Sequence, residues 1–178
     1  MEENGLILVH TGDGKGKTTA ALGLAMRAWG DGLRVLILQF IKGGWKYGEL
    51  KALQTLQEID GRIEVRQCGL GFTQRDDENK AEHKQAAAAA MRTAHQEADS
   101  GKWDMIILDE INYAIKFGLV DEADVLELLQ HKPARLHLVL TGREARPAII
   151  AAADLVTEMK LIKHPFQKGI KAQQGIEF

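Results

Sequence analysis

Residues Thr11 to Thr19 read T-G-D-G-K-G-K-T-T, between the apolar run Leu6-Ile7-Leu8-Val9 and the helix-forming stretch Ala20 to Arg27. A strand, a glycine-rich loop and a helix in that order form a context for binding phosphate. Glycines at 12, 14 and 16 let successive amide N–H groups turn toward an anion, and the helix N-terminus adds its partial positive charge. Lys17 can reach the phosphates, and Thr18 can offer its hydroxyl to a bound Mg²⁺. The pattern G-x-x-x-x-G-K-[ST], counted back from Gly16, asks for glycine at position 11 and finds Thr11. Gly12 is therefore expected to make the exit turn. A glycine-rich connection without a ligand is the bland alternative, but Gly-Lys-Thr at a strand-to-helix junction weighs against it.

A chain of 178 residues, 45% hydrophobic and 27% charged, fits one α/β domain with a sizeable core, here taken as residues 1–178. The net charge of −2 leaves no overall electrostatic footprint for nucleic acid or an anionic membrane, and neither is expected as a partner. Basic residues gather late, where Lys160, Lys163, Lys168 and Lys171 face only Glu177 among acids. Such a run is a solvated face or serves an anionic ligand. The single cysteine, Cys68, allows no intrachain disulfide, and the start Met1-Glu2-Glu3-Asn4 lacks the features of a signal peptide. No apolar stretch approaches the roughly 20 residues needed to span a bilayer. A cytoplasmic location is expected.

Short apolar runs at Leu6–Val9, Val35–Leu38, Ile63–Val65, Met105–Leu108 and Leu136–Leu140 alternate with helical stretches. That pattern predicts a mostly parallel sheet buried on both faces. Helices are expected over Thr18–Trp29, Glu49–Gln57, Glu78–Asp99, Glu122–Gln130 and Pro147–Ala153, with Asp76 and Asp77 at the N-terminus of the third and Pro147 in the first turn of the last. Ligands of such sheets sit at the carboxyl ends of the strands, so functional residues should directly follow each apolar run.

The fourth run ends in Asp109-Glu110, where phosphate-loop proteins place the acid that holds Mg²⁺ directly or through water. Adjacent strand residues point to opposite sides, so the two acids should have different jobs; capping the next helix suffices for one of them, not for both. The loops at 39–48 and 68–77 carry Phe40, Trp45, Tyr47 and Phe72, which either contact a flat, partly apolar ligand or pack against the domain itself. Arg143 follows the fifth run and suits either a phosphate or carboxylate contact or a surface ion pair. The six histidines show no H-x-x-x-H pair, which argues against zinc. His83 and His95 fall in the long polar helix and are expected to be solvated.

Six segments in order, T-G-D-G-K-G-K-T-T, Gln39-Phe40-Ile41-Lys42-Gly43, Gly71-Phe72-Thr73, Leu108 to Tyr113, Thr141-Gly142-Arg143 and Lys163 to Ile176, resemble the phosphate-loop ATP:corrinoid adenosyltransferases. The likeness runs from about residue 5 to the C-terminus, and that family's loop shares the offset at Thr11. It implies a P-loop NTPase fold of the RecA-like kind and transfer of the 5′-deoxyadenosyl group of ATP to the Co(I) of a reduced corrinoid, with triphosphate leaving. ATP would lie in the loop in the reverse of the usual direction, presenting C5′. Gly12, Asp13, Gly14, Lys15, Gly16, Lys17, Thr18 and Thr19 would form the nucleotide site together with Arg143. Thr18 and Glu110 would hold Mg²⁺ or Mn²⁺, with Asp109 supporting that shell.

The resemblance also implies an electron-donating flavoprotein as partner, a homodimer, and aromatic wedges that displace the lower axial ligand of Co(II). Phe72 matches the first wedge. The second is tryptophan in relatives and Gln74 here, and the helical arm that some relatives carry before the first strand is matched by only four residues before Gly5. A conventional ATPase or nucleoside kinase, and a non-catalytic corrinoid or nucleotide sensor, are the competing readings.

Overall fold

The computed structural model describes residues 4–44, 47–71 and 79–177. Six parallel strands, β1 (Ile7–Thr11), β2 (Val35–Gln39), β3 (Ile63–Gln67), β4 (Met105–Asp109), β5 (His137–Thr141) and β6 (Leu155–Glu158), lie in the order β3-β2-β4-β5-β1-β6. Between them run α1 (Lys17–Gly30), α2 (Gly48–Asp60), α3 (Lys80–Asp99), α4 (Ile111–Lys116), α5 (Glu122–His131) and α6 (Pro147–Ala152), and a 3₁₀ turn spans Pro165–Lys168.

The two-sided burial predicted from the apolar runs is realised in β1, β2, β4 and β5, whereas in the edge strand β3 only Ile63 is buried and Glu64 to Gln67 are half-buried. Ile7, Val9, Leu36, Leu38, Ile106, Leu108, Leu138 and Leu140 pack in one core layer with Ala87, Ala90, Met91 and Ala94 of α3 and Val125, Leu128 and Leu129 of α5. The alternate residues Leu8, Val35, Ile37, Met105, Ile107 and Val139 pack in the other with Ala21, Leu22 and Ala25 of α1 and Leu53 of α2. The period of two along each strand sends neighbours to opposite faces, and each buried aliphatic contributes about 1.5–3 kcal/mol.

Because β1 and β2 are separated in the sheet by β5 and β4, the crossover helix α1 lies over the middle of the sheet, touching β1, β4, β5 and β2. Its N-terminus therefore stands at the carboxyl ends of β1, β4 and β5. That placement brings the loop after β1 to the acids after β4.

Two elements and two side chains differ from expectation. β6 has only two apolar residues and all four of its positions are exposed, so it carries no core signal; it is held at the edge by the β1 ladder. The short α4 follows β4 without a loop and reads in sequence as part of a strand end. His83 is buried and the His95 ring pairs with Asp124 at 2.8 Å, so neither is the freely solvated side chain expected. The long helix starts at Lys80, and Asp76, Asp77 and Glu78 lie outside the described residues.

Candidate active site

The strand β1 continues through Thr11, whose hydroxyl accepts from the Ala145 amide at 3.0 Å, and the chain turns at Gly12 with φ 95°. The offset glycine thus makes the exit turn, as the spacing requires. A Cβ on Gly12 would come within 2.4 Å of the Met159 carbonyl oxygen, so the loop lies against the segment that leaves β6. The Gly14 amide donates to that same carbonyl at 2.7 Å. Gly16, at φ 107°, is the N-cap of α1 and supplies no side-chain cap, so the first helical amides keep no capping partner from it.

Lys17 is buried and its ammonium donates to the carbonyls of Gly12 at 2.7 Å and Gly14 at 2.6 Å, which closes the loop around it. Burial pulls its pKa below the ordinary lysine value, against the opposing pull of the Glu110 and Asp13 charges. The Thr18 hydroxyl donates to Asp109 Oδ1 at 2.8 Å, tying the start of α1 to the end of β4.

Asp109 and Glu110 occupy different environments, as expected, but not through strand alternation: β4 ends at Asp109, and Glu110 leaves the strand in a left-handed conformation. Asp109 is 1% exposed and its carboxylate accepts from Thr18, from Thr141 at 2.9 Å, from Gln39 at 3.2 Å and from the Lys42 ammonium at 3.2 Å. Gln39 stands directly across the β2–β4 ladder from Asp109, which explains their contact. Glu110 sits at φ 63° at the N-cap position of α4, makes no capping bond with its side chain, and turns into the cleft; its amide donates to the Thr141 hydroxyl at 2.8 Å. Burial pushes the Glu110 carboxyl up, the Asp109 charge adds to this, and Lys42, Lys17 and Arg143 pull the other way.

A cavity of about 380 Å³ joins these parts, lined by Gly14 to Thr19 together with Lys42, Glu110, Tyr113 and Arg143. Gly12 lies under the loop, and Asp13 is exposed beside it. Arg143 is exposed at the rim, while the neighbouring Glu144 pairs with Lys116. Of the loop aromatics, Phe40 is 1% exposed and belongs to the core, which settles its role as packing. Tyr47 bonds Gln39 and lies under the Lys42 ammonium, 4.7 Å from the ring centre. Trp45, Phe72 and Gln74 lie outside the described residues.

Lys42, Glu49 and Glu177 also line this cavity, and no catalytic or binding motif in the sequence marks them. The available signal for Lys42 is its place just after β2, at a strand's carboxyl end. Glu177 arrives from the far end of the chain and pairs with Lys15 at 3.3 Å, a contact that no local pattern announces. It is Lys15, and none of the four late lysines, that it meets. Burial acts against the Lys42 ammonium, yet the Asp109 charge and hydrogen bond hold its pKa above the ordinary value.

Sheet order, phosphate loop and acid-tipped β4 define a nucleotide-binding protein of the α/β P-loop NTPase class. The fold agrees with that of the flagellar accessory protein FlaH from Methanocaldococcus jannaschii, with a TM-score of 0.60 and 13% identity over 88% of this chain and 71% of that one. A KaiC-like protein from Pyrococcus horikoshii matches with a TM-score of 0.53 and 16% identity over 90% of this chain and 75% of that one. The family model for ATP:corrinoid adenosyltransferase BtuR/CobO/CobP matches residues 3–178, and the chain belongs to this family.

Relatives named corrinoid adenosyltransferase bear this out. The one from Pseudomonas aeruginosa is 42% identical over 177 residues, which is 99% of this chain and 85% of that protein. The one from Escherichia coli is 37% identical over 178 residues, covering 100% and 88% respectively. CobA of Salmonella typhimurium is 38% identical over 178 residues, with the same coverage of 100% and 88%. The chain is thus an enzyme of the corrinoid adenosyltransferase family, with ATP and a corrinoid as its substrates. Among the described residues, no helix is long and apolar enough to cross a membrane.

Proposed function

We propose that this protein moves the 5′-deoxyadenosyl group of ATP to the Co(I) of a reduced corrinoid, with ATP laid along the phosphate loop so that C5′ leads toward the corrinoid. The observation that carries the reading is a cavity lined both by the phosphate loop with the α1 N-terminus and by Glu110 and Arg143. Co(I) is itself the nucleophile, so the reaction asks for no general base. The protein's work is to position C5′ and to stabilise the charge that grows on the departing triphosphate.

Gly12, Gly14, Lys15, Gly16, Lys17 and Thr18 hold the triphosphate, with Asp13 and Thr19 at the edges of the loop and Arg143 at the cavity rim. Thr18, Glu110 and Asp109 offer hard oxygen donors, and among the described residues no three His, Cys, Asp or Glu side chains form a closed metal cage. Such a donor set suits Mg²⁺, which keeps much of its shell for water and substrate phosphate. Bound there, Mg²⁺ would neutralise charge on the phosphates. Thr18 and Glu110 would hold it, while Asp109 orients Thr18.

Phe72 is assigned to displacing the lower axial ligand of Co(II), with Gln74 at the second wedge position, and a reducing flavoprotein supplies the electron. A single domain over 1–178, a cytoplasmic location and a homodimer complete the proposal. For the homodimer, the exposed edge strand β6, with Leu155 at 44% and Val156 at 39%, and the exposed Ile162 and Phe166 beyond it supply an apolar face.

Binding tests the phosphate site. Inorganic tripolyphosphate should compete with ATP far better than orthophosphate does. Competition by adenosine without competition by tripolyphosphate would remove the loop as the site.

A further inference from the structure

We infer that Lys42 is a further triphosphate-contacting residue, held on Asp109 until a divalent cation and its phosphates draw it away. The inference rests on the phosphate-site reading above. A carboxylate offers about four acceptor positions, and those of Asp109 are filled by Thr18 and Thr141 on Oδ1 and by Gln39 and Lys42 on Oδ2. Three of these donors are neutral and fixed in the frame, on α1, β5 and β2. Lys42 is the only cation among them, and it sits on a long flexible stem.

A cation bound beside Thr18 brings waters that must donate to the nearby carboxylates. At Asp109 the position they would take on Oδ2 is the one Lys42 holds. Metal and ammonium therefore compete for the same buried charge, and two positive groups cannot share it cheaply. The released lysine has somewhere to go. Its side chain is 18% exposed, it lines the same cavity as the phosphate loop, and Gly43 and Gly44 follow it in the chain. Charge lost by Asp109 to the metal is regained from the phosphates, where an ammonium can stabilise the triphosphate as it departs.

Competition and contact make opposite predictions for one substitution, which separates them from a purely structural role. In Lys42→Met, affinity for Mn²⁺ alone, read from the free-ion signal by electron paramagnetic resonance, should rise several-fold because the rival cation is gone. Affinity for inorganic tripolyphosphate with Mg²⁺, read by calorimetry, should fall about tenfold, the usual loss for one charge-assisted contact. Lys42→Arg should keep tripolyphosphate affinity within about threefold of wild type, since the charge is retained.

Parallel weakening of both ligands, or no change in either, would overturn the inference. Should Lys42→Met not fold, the ¹⁵Nζ resonance of Lys42 in the wild-type protein gives the answer: it should shift on adding Mn²⁺ or Mg²⁺ and shift again with tripolyphosphate, and a resonance that stays in place refutes the exchange. A wild-type protein that binds no tripolyphosphate would instead remove the phosphate-site reading itself.

Discussion

The Thr18 hydroxyl reaches Asp109 Oδ1 across 2.8 Å, joining residues 91 positions apart in the chain. The contact exists because α1 crosses β5 and β4 on its way from β1 to β2, so the first turn of the helix ends above the tip of β4. One hydrogen bond thereby fixes the phosphate loop against the acid pair.

Lys17→Ala and Thr18→Ala should each lower adenosyl transfer by about a hundredfold or more, equivalent to roughly 3 kcal/mol of transition-state stabilisation. Lys17→Ala also removes the two bonds to the Gly12 and Gly14 carbonyls, so its loop should protect less well against proteolysis. Turnover with chemically reduced cobalamin, together with circular dichroism for the fold, checks both variants. Near-native turnover in either would remove the loop from the reaction.

Glu110→Gln and Asp109→Asn should separate metal binding from architecture. Glu110 faces the cavity with its side chain free of any capping bond, so its neutral form should weaken Mg²⁺ dependence more, by tenfold or beyond, with little change in melting temperature. Asp109→Asn sets an amide donor against other donors and should destabilise the fold by about 1–3 kcal/mol. A metal titration and a thermal melt of both proteins decide the assignment; a larger metal effect in Asp109→Asn reverses it.

His10 gives the fold a pH dependence of its own. It is 7% exposed near the end of β1, and neither ring nitrogen has a partner among the described residues. Burial lowers its pKa from 6.5, so the unfolded chain takes up a proton that the folded one resists. The stability that this group contributes is present above pH 6.5 and is lost as pH falls toward the lowered folded value. Urea unfolding between pH 8 and pH 5 should show that decline, and His10→Leu should flatten it. An unchanged slope in the variant would assign the decline to other groups.

Much of this arrangement could be read in the chain because each feature had a local signature. Five strands announced themselves as apolar runs, four of them buried almost throughout, and the loop at 11–19 kept its chemistry despite Thr11, since Gly12 supplies the positive φ. The rest was hidden for physical reasons. β6 is an exposed edge with no core face to write a pattern. The partners of Asp109 come from β2, β5, α1 and the loop at 42, a convergence that depends on strand order, which no periodicity encodes. Phe40 looked like Phe72 and Trp45 in sequence, and only its burial at 1% exposure shows it to be core.

Adenosyl transfer breaks ATP at C5′, whereas phosphoryl transfer breaks it between phosphates, and the nucleotide product tells the two apart. The protein is incubated with ATP, Mg²⁺ and chemically reduced cobalamin, and the phosphorus products are identified by ³¹P magnetic resonance. Inorganic triphosphate in equal amount to a light-sensitive cobalt–carbon product is the predicted result. ADP with orthophosphate or a phosphorylated acceptor, and no alkylated cobalt, would contradict it.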